Sequence, residues 1–446
     1  MITSRIAHHL KTGVATAAII AQLAAGPASA FCGFYVAQAD SKLFNTSSKV
    51  ILARDGDQTT ITMASDFEGD AKEFAVVVPV PTFIERKQIG VVDPKTIDHL
   101  DRYTAPRLVE YHDEDPCNPP RVAMASAGRP PMPVMALSAV DTARQRYGVT
   151  IEANYDVGEY DVLILSAKES DGLVNWLTDN QYRIPQGAQE VLGSYIRQNM
   201  RFFVAKVNVE RMKGLGNGYL RPLQVRYQSP KFMVPLRLGT VNAKGPQDLI
   251  VYALTKNGRI ESTNYRTVKI PSDINVPLYV KDEFGPFYKA LFERAVTREQ
   301  MRAVFVEYAW DMGWCDPCAA EPLSNKELVE LGARWIGNED DTPYRGGRFQ
   351  AGSDAYVTRL HVRYDAKTFP EDIVFMETAD RSNFQGRYVQ HHPWQGQASC
   401  DAAKAYRSEL PARFAVEAKN LEDLTGWNRT DITGRMALTG QQIKAK

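Results

Sequence analysis

The residues Trp314-Cys315-Asp316-Pro317-Cys318 place two thiols at the spacing used for thiol–disulfide exchange. In such a site a buried strand delivers the cysteines to a helix N-terminus, whose dipole and free N–H groups stabilise a thiolate. The chain supplies a strand-like run (AVFVEYAW, from Ala303), the tryptophan and a following proline, Pro322. It supplies no clear helix start at Cys315, because the better signal, Ser324-Asn-Lys-Glu327, is a capping box further on. Two readings follow. Either Cys315 is a nucleophile and Cys318 its resolving thiol, or the pair is a structural disulfide, closed on itself or onto Cys400. The second is the ordinary use of cysteine in an exported chain. A zinc site with Cys400 or His391 lacks the usual ligand spacing.

Imidazoles offer less. His391-His392-Pro393-Trp394, with His361 as a third ligand, contains metal-binding residue types, although an adjacent loop pair is equally consistent with solvation. His99 and His112 lie close to Asp98, Asp101, Asp113, Glu114 and Asp115, where acids tune a base or simply face water. No Gly-x-Ser-x-Gly is present. Gly214, Gly216 and Gly218 have nearly phosphate-loop spacing but open no helix after a strand, so they read as a turn. Trp176, Tyr182, Trp310 and Trp314 would form a sugar or peptide platform if exposed, and core if buried; core is the expectation for most of them. No catalytic residue, cofactor or metal ligand is assigned.

The elements that carry these groups sit in an exported chain. Arg5 and Lys11, the apolar run Val14–Ala25 and the small residues Ala28-Ser29-Ala30 predict a signal peptide over 1–30 with cleavage before Phe31. The apolar run is too short for an anchor, and no later stretch predicts a transmembrane helix. The chain holds 53 basic and 53 acidic residues; loss of Arg5 and Lys11 leaves 51 against 53. That balance excludes a nucleic-acid partner, which demands a basic surface. The five cysteines, Cys32, Cys117, Cys315, Cys318 and Cys400, all fall in the mature part. An odd number leaves one unpaired or intermolecular.

Asp55-Gly56-Asp57 between apolar runs predicts a hairpin, and Asn257-Gly258 a second. EFAVVVPVP (from Glu73) reads as a buried strand ended by prolines, Pro94–Tyr111 as helical with a break at Pro106. Val149–Ser166 reads as strand, followed by helices from Ser170 or Asp171 and from Gly187 to Asn199. A helix around Phe287–Ala295 and strands at Ala303–Trp310, Tyr356–Tyr364 and Ile373–Met376 complete the pattern. LQVRYQ (from Leu223) echoes LHVRYD (from Leu360), and ITMASDFEGDAKEFAVVVPV (from Ile61) echoes VTIEANYDVGEYDVLIL (from Val149). Duplicated hairpin modules or the small residue alphabet of hairpins would both produce this.

EGDAKEFAVVVPVP, YTAPRLVEY with Cys117 just beyond, YDVLILSAKESDGLVNWL with YRIPQGA, RFFVAKV and GPQDLIVYALTKNGRIESTNYRTVKIPSD together resemble a bacterial family of exported proteins, domain of unknown function 2330. The resemblance spreads over most of the mature chain, WCDPC included, and implies that these cysteines belong to that architecture. It brings no established catalytic residue. Some members of the family end in a membrane anchor, which this sequence lacks, so the placement it implies is periplasmic or secreted.

The expected fold is β-rich α+β: two or three modules of antiparallel strands with a few helices, stapled by disulfides. The expected divisions are an N-terminal module over 31–117, a proline-rich linker over 118–135, a central module over 136–281, a C-terminal module with the CxxC over 282–400 and a polar tail over 401–446, helical from Asp401 to Leu410 and then loose. Cys32 is expected to pair with Cys117, and Cys315 or Cys318 with Cys400, or the latter two with each other. The expected role is binding or scaffolding in the bacterial envelope, toward a protein or small ligand; the alternative is a thiol–disulfide oxidoreductase at Cys315 and Cys318.

Overall fold

The computed structural model describes residues 28–29, 34–37, 44–68, 74–118, 149–180, 182, 184, 187–208, 210–211, 220–241, 243, 245–314, 316, 321–337, 344–345, 348–349, 354–397 and 399–443. The fold is β-rich α+β. Its main sheet runs β15 (Arg266–Lys269), β17 (Ala303–Asp311), β20 (Tyr356–Tyr364), β13 (Gln247–Thr255), β3 (Phe44–Asp55), β4 (Gln58–Glu68), β11 (Leu223–Gln228) and β6 (Ile89–Val91); β1 (Ala28–Ser29) pairs with β13, and β22 (Phe384–Gln385) with β17. A second sheet runs β2 (Phe34–Ala37), β5 (Phe74–Val80), β10 (Arg201–Val207), β9 (Tyr160–Ala167) and β8 (Val149–Val157). Three smaller sheets contain β12 (Met233–Val234), β21 (Ile373–Glu377) and β14 (Ile260–Ser262); β16 (Ile274–Asn275), β23 (Arg387–His392) and β7 (Arg107–His112); and β18 (Tyr344–Arg345) with β19 (Arg348–Phe349).

Period-two alternation decides which side chains meet. Val50 and Leu52 of β3, Leu249 and Val251 of β13, and Leu360 and Val362 of β20 face the second sheet, where Val76, Val78, Val162, Ile164 and Phe203 complete the principal core. Each such side chain withdrawn from water contributes about 1.5–3 kcal/mol. The far side of the second sheet packs Val77, Leu165, Phe202 and Val204 on Leu173 and Leu177 of α2 (Ser170–Asp179) and Leu192 and Tyr195 of α3 (Ala188–Arg197). The short α4 (Arg237–Val241) adds Leu238 there.

The far side of the main sheet is covered twice. α1 (Pro94–Thr104) and α6 (Asn325–Glu330) bring Ile97, Leu100 and Leu328 onto Ile51, Tyr252 and Val357. α5 (Phe284–Arg298), α7 (Asp401–Thr425) and α8 (Arg429–Leu438) bring Phe287, Leu291, Phe414, Leu421 and Met436 against Phe305 and Tyr388.

Several elements follow their local signals. β3 and β4 form the hairpin around Asp55-Gly56-Asp57, with Asp55 opposite Gln58 and Gly56 at φ +54°. Ser324 caps α6, its hydroxyl and the Glu327 side chain closing the capping box. Other expectations fail for identifiable reasons. The helical pattern over 94–111 stops at Thr104, because Ala105 precedes Pro106 and is driven into extended backbone; Arg107–His112 is a strand. Asn257-Gly258 makes no hairpin: β13 pairs with β20 and β3, and β14 with β21. Gly258 lies under the Asp380 carbonyl, 2.4 Å from where a Cβ would stand, and Arg259 N donates to that oxygen, so the chain turns out of the sheet.

The echoed segments occupy unlike positions, β8–β9 being a hairpin while β4 and β5 lie in different sheets. The expected modules interleave: β3, β4 and β6 from 31–117, β11, β13 and β15 from 136–281, and β17, β20 and β22 from 282–400 all stand in the main sheet. Beyond Asn118 the expected linker lies outside the described residues, as does the expected signal peptide up to residue 27. The polar tail is not loose. α7 runs on through Pro411 to Thr425, and α8 follows.

Candidate functional site

Two groups of ionisable side chains are assembled, one inside the molecule and one at its edge. The inner group lies on the helix-covered face of the main sheet, between the two apolar clusters. Lys49, Asp248, Arg359, His361 and Arg363 reach this face by alternation, whereas Glu307 reaches it through an irregularity. Val306 pairs with Leu360 and Tyr308 with Arg359, leaving Glu307 as the extra residue of a β-bulge. A bulge re-aims a side chain, and here it turns a carboxylate inward.

Glu307 is 1 % exposed. Its Oε2 accepts Arg359 Nε at 2.6 Å, and its Oε1 accepts His361 Nδ1 at 2.7 Å and the Tyr288 hydroxyl. Arg359 Nη1 also donates to Asp101 Oδ1 at 2.6 Å, and Asp101 further accepts Tyr252 OH at 2.7 Å and pairs with Lys49 Nζ at 2.7 Å. Burial pushes the Glu307 carboxyl up, but His361 and Arg359 outweigh it and bring it down to about 2. Burial raises the Asp101 carboxyl less than Arg359 and Lys49 depress it, so it too lies well below the usual range. The Tyr252 and Tyr288 hydroxyls are held protonated, chiefly by burial.

His361 has the carboxylate-oriented imidazole of a general base, yet its Nε2 is buried without a hydrogen bond and its ring stacks on Phe292 with centroids 3.6 Å apart. The nearest acid to that nitrogen, Asp248 Oδ1 at 3.8 Å, is already gripped by Arg363 through two bonds of 2.7 Å. This is a clasp joining β17, β20, β13 and α1, closed to substrate.

The outer group forms where three parallel strands end. β16, β23 and β7 pair in parallel, with Tyr111 opposite His391 and His112 opposite His392. Carboxyl ends of parallel strands gather side chains at one rim. The rings of His112 and His392 stack at 4.4 Å and 9°, and those of Tyr111 and His391 at 5.5 Å and 26°. Tyr111 is 47 % exposed.

Glu110 accepts His392 Nε2 at 2.7 Å and pairs with Lys281 Nζ at 2.7 Å; the lysine first, then the histidine, lower its carboxyl. Asp113 is raised by burial but lowered more by Tyr406 OH and Arg413 Nη1, which each donate to its Oδ2 at 2.5 Å. Trp394 N donates to Tyr406 Oη at 2.9 Å, and Arg407 covers the Trp394 ring at 5.7 Å.

A disulfide closes this rim. Cys117 and Cys400, 283 positions apart, are joined with Cα atoms 6.0 Å apart. It ties the chain beyond β7 to the first residue of the α7 cap. The expected pairings, Cys32 with Cys117 and Cys315 or Cys318 with Cys400, are therefore replaced by one between their outer members. The parallel pairing of β7 with β23 carries both chains to the same edge, which spacing along the sequence could not reveal.

Of the remaining sulfurs, Cys32, Cys315 and Cys318 lie outside the described residues. Their neighbours are placed. Asp316, inside WCDPC, is buried, its Oδ2 accepting Tyr308 OH at 3.2 Å and Gln385 Nε2 at 2.7 Å. Trp314 is 49 % exposed, and the next helix among the described residues is α6, at Asn325.

The histidines expected to act together are separated: His361 belongs to the inner clasp, and His391 and His392 to the rim. His99 points elsewhere, to Glu327 Oε1 at 2.7 Å and the Glu321 carbonyl at 2.8 Å. Tyr182 is core and Trp176 packs half-buried beside it. Among the described residues no group of three His, Cys, Asp or Glu side chains is disposed to hold a metal. No described helix is long and apolar enough to cross a membrane. Glu307, Arg359, Lys281, Tyr406 and Arg413 escaped the sequence reading; the alternating Arg359-His361-Arg363 of β20 was the one visible signal.

The family described as "Uncharacterized protein conserved in bacteria (DUF2330)" matches residues 26–376. The chain belongs to this family. No curated protein and no solved structure matches it. The matched span contains the whole inner clasp, the β7 half of the rim, Cys117 and WCDPC. β23, Cys400 and α7 follow it.

Proposed function

We propose that this member of the family is an exported protein of the bacterial envelope that acts by binding or scaffolding, with the rim at the ends of β7 and β23 as its contact surface. The observation that carries the reading is the Cys117–Cys400 disulfide. A bond of this kind persists outside the reducing cytosol, and here it fixes a half-exposed set of aromatic, imidazole, acidic and basic side chains. Such a set offers hydrogen bonds and ring faces to a protein or small polar ligand without a nucleophile–base pair.

The signal-like segment ending at Ala30 supports export. The burial of Asp316 supports a structural use of WCDPC, because the residue between the two cysteines is anchored inward. The test has two parts. Fractionation with N-terminal sequencing should find a chain starting at Phe31 outside the cytoplasm; a chain retaining Met1 in the cytoplasm contradicts export. An insulin-reduction assay should find no turnover, while turnover abolished by Cys315→Ala would establish the oxidoreductase instead.

A further inference from the structure

The thioredoxin-like feature missing at Cys315 is present at Cys400. Cys400 is the N-cap of α7, a helix of 25 residues, and its sulfur accepts the Ala403 N–H at 3.4 Å. A helix N-terminus stabilises negative charge on sulfur and lowers the pKa of a thiol placed there. The acid nearest in sequence, Asp401, is paired with Lys404 at 2.8 Å. Cys117 sits differently, in an acidic turn where its N–H donates to Asp115 Oδ1 at 2.9 Å, with Glu114 and Asp113 just before it. A thiolate there would meet negative charge. Both cysteines are only partly buried, and Cys117 Sγ is 3.7 Å from the exposed Ser399 hydroxyl. The two ends of the bond are therefore unequal as leaving groups.

We propose that Cys117–Cys400 is a thiol-exchange site at which an external dithiol attacks Cys117 and Cys400 departs as the thiolate. The attacking thiolate forms a new S–S bond to Cys117 Sγ. The Cys117–Cys400 bond breaks, and its electron pair moves to Cys400 Sγ, which the α7 N-terminus and Ala403 N–H hold. The second thiol of the same dithiol, once deprotonated, attacks its partner sulfur in the mixed disulfide and expels Cys117, which takes up a proton. The protein disulfide gains two electrons and the dithiol is oxidised to its own disulfide. Leaving-group acidity sets the direction of attack.

Opening is local. Asp113 keeps its bonds to Tyr406 and Arg413, so α7 stays docked while the segment 114–118 and the start of the helix are freed. The inference does not depend on the binding reading; it concerns the bond alone.

The test uses the intact folded protein. Brief exposure to glutathione, acid quench and peptide mapping should locate the adduct on Cys117 and a free thiol at Cys400. After mild reduction without denaturant, iodoacetamide at neutral pH should modify Cys400 about tenfold faster than Cys117. Mapping separates both from Cys32, Cys315 and Cys318. In a Cys117→Ser chain, whose Cys400 thiol needs no reduction, fast alkylation should persist, and unfolding in denaturant should abolish the advantage. Glutathione on Cys400, equal alkylation rates, or a bond that opens only at denaturant concentrations that unfold the chain would each overturn the proposal.

Discussion

The imidazoles of His112 and His392 lie ring on ring, 4.4 Å between centroids, at matched positions of two parallel strands. Only the pairing of β7 with β23 brings them together, and Glu110 fixes one of them through a 2.7 Å bond to His392 Nε2. Replacing His392 with alanine removes the stack and one partner of Glu110, but Lys281 still holds that carboxylate. The expected loss is about 1 kcal/mol with an unchanged circular dichroism spectrum. A denaturant midpoint indistinguishable from the parent would show that the stack carries nothing.

The inner clasp should behave differently. Glu307→Ala leaves Arg359 buried with half its counter-charge gone, and losing one partner of a buried pair costs roughly 3–5 kcal/mol. Acid should produce a similar outcome: Glu307 is ordinarily protonated near 4.5 but in the fold only at about 2, so its contribution is present above pH 4.5 and disappears as pH falls toward 2. Equilibrium urea unfolding of parent and variant measures the first effect. A loss under 1 kcal/mol would contradict the clasp.

Glu417 on α7 shifts the other way. Burial, opposed by Arg413 and the Gln441 amide and aided by Asp113, lifts its carboxyl from 4.5 to about 7. The folded chain thus keeps a proton that the unfolded chain releases earlier. The resulting stabilisation, roughly 3 kcal/mol, is complete below pH 4.5 and is lost as pH rises through 7. Glu417→Gln, which keeps the Gln441 contact and cannot titrate, should flatten stability over that window. A variant whose profile still declines like the parent's would remove Glu417 from the account.

The CxxC is predicted to be mechanical. Cys315→Ala with Cys318→Ala should lower stability by about 2–4 kcal/mol and leave insulin reduction at the background seen with the parent. Measurable turnover by the parent that vanishes in the double variant would contradict this.

Local chemistry was legible where local chemistry decides. Asp55-Gly56-Asp57 specified its hairpin and Ser324-x-x-Glu327 its cap, and the apolar run before Pro81 announced a buried strand. Long-range pairing was not legible. The hairpin expected at Asn257-Gly258 needed β14 to return along β13, but Asp380, far along the chain, takes Gly258 and Arg259 instead. Glu307 was hidden because a bulge breaks the alternation that would have exposed it. Pro411 made the helix from Asp401 look short, although apolar residues beyond it, Phe414, Ala418 and Leu421, continue its buried face. The rim escaped notice because its two strands contribute from opposite ends of the sequence.

One measurement bears most directly on the rim and the bond that frames it: a non-reduced peptide map of the mature protein purified from the cells that make it, with free thiols blocked before lysis. The account predicts a cross-linked peptide containing Cys117 and Cys400. Cys117 bonded to Cys32, or Cys400 bonded to Cys315 or Cys318, would contradict it.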